Sequence, residues 1–265
     1  MKKKKPGFWY SYFMLQENYL EKYKLRFCNR YLKSHRSCAH AYRDRGYIYE
    51  HKKKYRQVIK NFSKALQLER DYFIYSRRSD AYANLGQFQK AVEDLSKAID
   101  LHKKEKGNPV LSIGELYDKR TRLYLKLNKY KKAINDLKKE IKTCDDNAHR
   151  YKMLADIYSS YKNPKIRNGI KAVYYAKKAI AEYRRDARKR KGPKQVSWFY
   201  LETLAASYAQ SGNFKQAVRV QKKVMSMVKR YKHSWKSFKK VLKEREHRLR
   251  LYKQKMPFYG GSPTF

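Results

Sequence analysis

Four potential metal ligands lie close together near the amino end of the sequence: Cys28, His35, Cys38 and His40. Structural zinc sites hold their ligands at defined spacings, such as two cysteines two to four residues apart, and this group matches none of them. We therefore expect packed or solvated side chains and no bound metal. The three cysteines of the chain are widely spaced, which argues against a disulfide framework and favours a reducing, cytoplasmic compartment.

Catalytic motifs are missing from the sequence. It contains no glycine-rich phosphate loop, no HExxH and no nucleophile elbow. The neighbouring acids Asp145 and Asp146 could act as an acid and base pair, but they fall in a connection between helical segments, where turn and capping residues are common. We predict that the chain is not an enzyme and needs no cofactor.

Positive charge is the most unusual property of the sequence. The formal net charge at pH 7 is +44 in 265 residues. Self-repulsion of this size destabilises a compact chain, so we expect a partner that carries negative charge. RNA, DNA, an anionic lipid surface and an acidic protein all meet that requirement, and charge alone does not choose among them.

One segment concentrates this charge. Tyr183–Lys194 reads YRRDARKRKGPK and is predicted to lie in a connection between helices. Its basic residues are Arg184, Arg185, Arg188, Lys189, Arg190, Lys191 and Lys194. Such clusters are typical of nucleic-acid or anionic-surface patches, where phosphate contacts supply affinity without reading sequence. We predict a polyanion-binding surface here, which a basic C-terminal helix at Ser234–Lys253 could extend.

The elements that must position these side chains form an internal repeat. A tyrosine stands nine residues before a small or apolar residue in four places, and a fifth tyrosine does so across a longer turn. The pairs are Tyr49 with Val58, Tyr82 with Ala91, Tyr124 with Ala133, Tyr158 with Ala172, and Tyr208 with Ala217. In each pair the tyrosine falls in a first amphipathic helix and its partner in a second. Stacked neighbours must cover the apolar face that one hairpin leaves open.

Other positions repeat together with the tyrosine. Four residues before it stand Arg45, Arg78, Arg120, Leu154 and Leu204. Seven residues before it stand Tyr42, Tyr75, Tyr117, Tyr151 and Leu201. Small residues fill the middle of the first helix at Gly46, Ser79, Thr121, Ala155 and Ala205. The extra residues between units fall in connections, which a stacked array tolerates because each unit packs mainly on its neighbours.

Over Ala39–Tyr231 this pattern resembles the tetratricopeptide repeat family, whose unit is two antiparallel helices. The last two units look bacterial-like. Glu140 and Val224 depart from the small residues expected in the second helix, and the closing proline is missing. The resemblance implies an all-α, right-handed superhelical solenoid of about five repeats, at 39–71, 72–103, 114–146, 147–184 and 197–231. Basic helical caps are expected at 1–38 and 232–265.

The resemblance also implies a binding groove on the concave side, formed by the first helices. Its side chains would be Arg43, Tyr47, Arg77, Asn84, Lys119 and Arg122. Some members of the family clamp acidic C-terminal peptides of chaperones, but Tyr47 and Arg77 stand where that clamp needs asparagine, and Glu115 where it needs lysine. The predicted function is therefore a non-enzymatic scaffold that binds an acidic protein or peptide in this groove. The alternative is an RNA- or ribosome-associated protein that uses residues 184–194 and the C-terminal helix.

The amino-terminal stretch Phe8–Lys33 carries aromatic and basic residues at helical spacing. A cap on the first repeat is one interpretation, and a membrane-surface helix or a partner-binding arm are the others. Its apolar run is too short for a transmembrane span.

Overall fold

The structure, a computed structural model, describes residues 19–104, 110–160, 163–192, 195–230 and 238–259. These residues form twelve α-helices and no strand. The first six are α1 Tyr19–Ser34, α2 Ala39–His51, α3 Tyr55–Leu68, α4 Tyr72–Asn84, α5 Phe88–His102 and α6 Ile113–Lys126. The other six are α7 Tyr130–Ile141, α8 Ala148–Ser160, α9 Gly169–Lys189, α10 Trp198–Gln210, α11 Phe214–Lys229 and α12 Phe238–Lys253. The all-α helical-repeat solenoid predicted from the sequence is confirmed. None of the described helices is long and apolar enough to cross a bilayer.

The chain divides into two compact units, Met1–Lys129 and Tyr130–Phe265. In the first unit, α2 packs against α3 and α4 against α5, and contacts of α3 with α4 and of α5 with α6 join these hairpins. In the second unit, α8 pairs with α9 and α10 with α11, while α10 also contacts α8 and α9. Within each unit, helices that are neighbours in sequence are therefore neighbours in space, as in a stacked repeat.

Small side chains allow the hairpin helices to approach. A Cβ added at Gly46 of α2 would lie 2.3 Å from the Phe62 ring of α3, so this position excludes any side chain unless the ring moves. In the next hairpin Ser79 and Ala91 are buried. The turn between α4 and α5 uses Gly86 in the left-handed region, with φ +73°, where other residues are strained.

The arginine that precedes the repeated tyrosine has a structural role in the first unit. The Arg78 guanidinium binds both carboxylate oxygens of Asp94 on α5, each at 2.7 Å, and lies 5.5 Å from the centre of the Tyr75 ring and 5.8 Å from that of Tyr82. Asp94 is buried. A planar cation between two rings with a bidentate carboxylate is a fully satisfied arrangement for a buried charge. Thus a charged side chain can replace the apolar residue usual at this position.

The neighbouring first helices repeat this arrangement. Arg45 donates to the Asn61 side chain at 2.6 Å and lies 5.4 Å from the Tyr42 ring centre. Arg120 lies 5.7 Å from the ring centres of both Tyr117 and Tyr124, and it donates to Ser96. The spacing of tyrosine and arginine seen in the sequence is thus a cation–π ladder along the first helices.

In the second unit, leucine occupies the position four residues before the repeated tyrosine. Leu154 of α8 and Leu204 of α10 are buried, and Leu204 belongs to a core cluster with Ala176 and Ile180 of α9. The backbones approach closely at the start of α9, where a Cβ added at Gly169 would lie 2.4 Å from the Ser211 Cα. Close packing of small and apolar residues thus holds this unit together.

Helix α9 is longer than the sequence indicated. The prediction that Arg184–Lys194 forms a connection is wrong for its first part, because α9 continues through Lys189. Alanine, arginine and lysine are strong helix formers, and no glycine or proline interrupts the segment before Gly192. The helix ends with Arg190 as C-cap and Lys191 at φ 50°. Lys194 lies outside the described residues.

The C-terminal helix α12 packs on α11 and places two arginines inward. Arg245 and Arg248 bind Glu202 of α10 at 3.0 and 3.1 Å, and Glu202 and Arg245 are both buried. Buried Tyr252 packs against small residues of α10 and α11. The helix therefore contacts the preceding hairpin, and Arg245 and Arg248 do not belong to the basic surface that this helix was predicted to extend. Residues 234–237 of the predicted helix lie outside the described residues.

Helix α1 contacts α2. Its Cys28 and Leu32 are buried, and its Asn29 accepts a hydrogen bond from Arg45 at 2.9 Å. Burial is the largest cause that raises the pKa of the Cys28 thiol to about 11. Of the predicted stretch Phe8–Lys33, residues 8–18 lie outside the described residues. The described part packs on the first repeat, as a cap would.

Candidate functional site

The predicted groove residues all belong to the first unit and lie on its first helices, α2, α4 and α6. We call their side chains and the acids beside them the first-helix surface. It consists of Arg43, Asp44, Tyr47, Glu50, Ser76, Arg77, Asp80, Asn84, Asp118, Lys119 and Arg122. Its polar contacts determine which groups are available to a partner.

Two ion pairs join neighbouring first helices across this surface. The Arg77 guanidinium on α4 binds Glu50 of α2 at 2.6 Å. The Lys119 ammonium on α6 binds Asp80 of α4 at 2.7 Å and the Ser76 hydroxyl at 3.1 Å. These cations are about one-third exposed, 35% for Arg77 and 30% for Lys119. They are therefore held in place by the neighbouring helix and still reachable from solvent.

The other predicted charges of this surface make local contacts. Arg122 binds Asp118, one turn earlier in α6, at 2.9 Å. Arg43 lies 3.8 Å from Asp44. Asn84 is exposed and donates to the Asp80 carbonyl of its own helix at 2.8 Å. In each of these contacts the partner belongs to the same helix.

Tyr47 supports the surface rather than projecting from it. It is buried, and its ring meets the Phe62 ring edge-on at 5.3 Å between centroids. The Arg77 guanidinium lies 6.0 Å from the Tyr47 ring centre and 5.9 Å from that of Phe73. Aromatic rings beneath a guanidinium fix its plane, so Arg77 is oriented by two rings as well as by Glu50.

Acidic residues on the same helices neutralise much of the predicted basic groove. Burial is the largest cause that raises the pKa of Glu50, against the opposing effect of Arg77. Burial likewise raises the pKa of Asp44. Glu50 and Asp80 were missed by sequence reasoning, although Asp80 stands one turn after Arg77 in a helix of known register. The first-helix surface is thus a set of paired charges rather than a uniformly positive groove.

The predicted polyanion-binding residues divide into paired and unpaired cations. Arg185 contacts Glu182 and donates to the Asp145 carbonyl at 2.8 Å, while Arg190 binds Asp146 at 3.1 Å. The remaining described members, Arg184, Arg188, Lys189 and Lys191, are exposed. They form no ion pair within the ranges that the structure describes. The structure therefore leaves four of the six described cations of the predicted cluster without an ion pair.

The side chains that could have held a metal do not assemble into a site. Within the described ranges no three histidine, cysteine, aspartate or glutamate residues form a group that could hold a metal ion. All three cysteines are free. His35 stacks on Tyr31 at 4.1 Å between ring centroids and contacts the Ser34 hydroxyl. These side chains are structural or solvated.

Comparison with known proteins identifies the repeat. The family model described as tetratricopeptide repeat matches residues 39–72 and 74–104, which contain the first two helical hairpins. No curated protein sequence matches the chain significantly.

Solved structures with a similar fold are distant in sequence. The MamA protein is 18% identical with a TM-score of 0.57, covering 74% of this chain and 96% of its own. BtubC from P. vanneervenii is 14% identical with a TM-score of 0.55, covering 82% and 94%. YrrB, described as a TPR protein with an unusual peptide-binding site, is 13% identical with a TM-score of 0.53, covering 75% and 91%. Similarity at this identity establishes the fold alone.

Proposed function

Because the chain is a tetratricopeptide-repeat protein, we propose that it is a non-enzymatic scaffold that binds an acidic segment of a partner protein on its first-helix surface. The observation that carries the proposal is the position of Arg77 and Lys119. Each cation is held by a carboxylate of the preceding first helix and remains partly open to solvent. The free cysteines and the net charge are consistent with a cytoplasmic protein that meets an acidic partner.

Binding would proceed by exchange of carboxylates. The Lys119–Asp80 pair is partly exposed on both sides, and such pairs contribute about 0–1 kcal/mol, so little stability is lost when a partner's carboxylate replaces Asp80. Glu50 is only 17% exposed, so a partner's carboxylate would share the Arg77 guanidinium with it. The rings of Tyr47 and Phe73 would keep the Arg77 guanidinium oriented during the exchange. The long-range field of a chain with net charge +44 would increase the encounter rate with an acidic segment.

The fold neighbours support a peptide ligand only by analogy. YrrB is described as having a peptide-binding site, and a stack of first helices offers the same kind of extended surface. The chemistry of the ligand here is inferred from Arg77 and Lys119 alone. A peptide with carboxylates near both cations would meet these requirements.

The test is capture of partners from a lysate treated with nuclease, followed by measurement of affinity for the acidic segment that is identified. We expect the double reversal Arg77→Glu with Lys119→Glu to weaken binding at least tenfold at physiological salt, since two attractive contacts become repulsive. The matched control is Arg56→Glu with Lys60→Glu, which makes the same change of charge at exposed positions of α3. An equal loss in both variants would show that net charge, and not this surface, binds the partner.

A further inference from the structure

The outward face of α9 carries a straight row of exposed side chains. Residues 170, 174, 177, 181, 184 and 188 follow one another at alternating steps of four and three, which keeps them on one side of an α-helix. They are Ile170, Tyr174, Lys177, Ala181, Arg184 and Arg188, and every one is exposed. At 1.5 Å per residue the row is about 27 Å long. We call it the α9 row.

The opposite side of α9 is committed to the core of the second unit. Ala172, Ala176, Ala179 and Ile180 are buried there. Helix α9 is therefore already packed against the rest of the unit, and the row is its solvent-facing side. Its side chains face solvent because the apolar side of the helix is already covered.

The cations of the row have no neutralising partner among the described residues. Lys177, Arg184 and Arg188 form no ion pair there, in contrast to Arg185 and Arg190 of the same segment. Lys189 adds a further free cation beside the row. Helix α11, the second helix of the following hairpin, shares a core cluster with α9. It has five lysine and arginine residues and no aspartate or glutamate. The acids of α9 itself, Glu182 and Asp186, contact Arg185 and not the cations of the row.

The amino-terminal end of the row carries an aromatic ring that is open to solvent. Tyr174 is 51% exposed. Its ring is supported from within by Tyr175, edge-on at 5.1 Å between centroids, and by the Lys178 ammonium, 4.9 Å from the ring centre. Such a supported ring is a suitable platform for stacking by a planar group.

We propose that the α9 row binds single-stranded RNA, with Lys177, Arg184 and Arg188 on consecutive phosphates and Tyr174 stacked on a base. A one-dimensional series of cations with an aromatic ring is the arrangement by which proteins follow a single strand. An anionic bilayer is the weaker candidate, because an interfacial helix inserts its apolar face into the lipid, and the apolar face of α9 is inside the unit. The row lies outside the first-helix surface, so this proposal is independent of the peptide ligand.

The expected salt dependence follows from the number of phosphates. Each phosphate neutralised on a single strand contributes about −0.7 to the slope of log affinity against log salt. Three contacts give a slope of about −2, which corresponds to about a 20-fold loss of affinity between 50 and 200 mM salt. Base identity should matter little, because phosphate contacts and stacking do not read base edges.

The experiment uses the full chain, freed of nucleic acid, and a fluorescent single-stranded RNA oligonucleotide of mixed sequence. The variant Lys177→Gln, Arg184→Gln, Arg188→Gln should bind at least about 20-fold more weakly at 50 mM salt, and its slope should approach zero. The matched control Arg56→Gln, Lys60→Gln, Lys64→Gln removes the same charge from exposed positions of α3 and should keep the parent slope. Circular dichroism checks that both variants keep their helix content.

A second variant isolates the aromatic contact. Tyr174→Ala should weaken binding about five- to 150-fold, since one base stack is lost, while Tyr174→Phe should bind like the parent. A duplex of equal length should be insensitive to Tyr174→Ala, because its bases are already stacked.

Three results would overturn the proposal. The first is equal loss of affinity in the α9 and α3 variants, which would reduce the interaction to net charge. The second is binding of phosphatidylserine vesicles that depends on the α9 row without any binding of RNA, which would assign the row to lipid. The third is an affinity for RNA that depends on salt but does not change in Tyr174→Ala. No contact would then distinguish a single strand from a duplex.

Discussion

The two units of the molecule fill the same repeat position with opposite chemistry. Four residues before the repeated tyrosine, the first unit has Arg45, Arg78 and Arg120, and the second has Leu154 and Leu204. In the first unit Arg78 and Arg120 each lie close to two tyrosine rings, and Arg45 lies close to one. Arg45 and Arg78 also bind a polar residue of the second helix of their hairpin. In the second unit the leucine packs into an apolar core.

The comparison shows that a large side chain must fill this position of the repeat, and that this side chain can be either charged or apolar. A buried charge is tolerated only when its hydrogen bonds are complete, and Asp94 completes those of Arg78. A leucine has no such requirement. A hairpin with arginine at this position should therefore lose more stability when the residue that binds the side chain is removed. Both residue types nevertheless give the same hairpin fold.

The largest effect should come from Asp94→Ala. It leaves the guanidinium of Arg78 poorly paired at a site where its side chain is only 13% exposed. Removing one partner of a buried ion pair costs about 3–5 kcal/mol, and we expect a loss of this size in the free energy of unfolding, measured by urea denaturation. Asp100→Ala, at an exposed position of the same helix, should change it by less than about 0.5 kcal/mol. A loss below about 1 kcal/mol for Asp94→Ala would mean that the pair is not a buried one.

A smaller effect is expected when both Arg78 and Asp94 are replaced by the apolar residues that the second unit has at these positions. In the last hairpin, Leu204 and Val220 occupy the positions that correspond to Arg78 and Asp94. The double variant Arg78→Leu with Asp94→Val should therefore unfold within about 1.5 kcal/mol of the parent, since a buried ion pair replaced by apolar residues of similar volume is often neutral or stabilising. If the double variant were as unstable as Asp94→Ala, the two chemistries would not be interchangeable at this position.

The smallest effect concerns a buried tyrosine hydroxyl in the second unit. Tyr252 is fully buried, and its hydroxyl has no hydrogen-bond partner among the described residues. Burial is the largest cause that raises its pKa well above the ordinary value. The folded chain then keeps this proton while the unfolded chain releases it above about pH 10, so stability should fall as the pH rises past that value.

Tyr252→Phe should remove that contribution. We expect a change of about 1 kcal/mol or less in the free energy of unfolding at pH 7, and a less steep decline in stability above about pH 10. The measurement is urea denaturation at a series of alkaline pH values. Tyr259→Phe, at an exposed position of the same terminal segment, should leave the decline unchanged, and an identical decline in the Tyr252→Phe variant would contradict the assignment.

Repeats are predictable from this sequence because their signal is local and is repeated. A tyrosine and a small residue nine positions apart define a hairpin wherever they occur, and errors in one unit are corrected by the others. The extent of α9 was harder to predict, because a dense run of basic residues resembles both a solvated connection and the exposed end of a helix. Here alanine between the charges, together with the contact of Arg185 with Glu182, favours the helix.

The sequence predicted which residues could lie on a binding surface, but it did not predict how their charges are paired. The register of the first helices predicts that Arg77 and Lys119 share one surface, but it did not show that Glu50 and Asp80 would bind them. A single helix gives no information about the charge that a neighbouring helix brings to it. For the same reason Arg185 and Arg188, three residues apart, could not be distinguished in the sequence, although one is paired and the other is free.

The amino-acid sequence was sufficient to predict the α-helical repeat, the close approach of helices at small residues such as Gly46 and Ala91, and the excess of positive charge. These properties depend on residue type and periodicity, which local physics translates directly into structure. The pairing of individual cations with acids, in contrast, was visible only in the folded chain. Neutralisation depends on distances of a few ångströms between side chains that are far apart in the chain, such as Lys119 and Asp80 or Arg248 and Glu202, and those distances are set by packing.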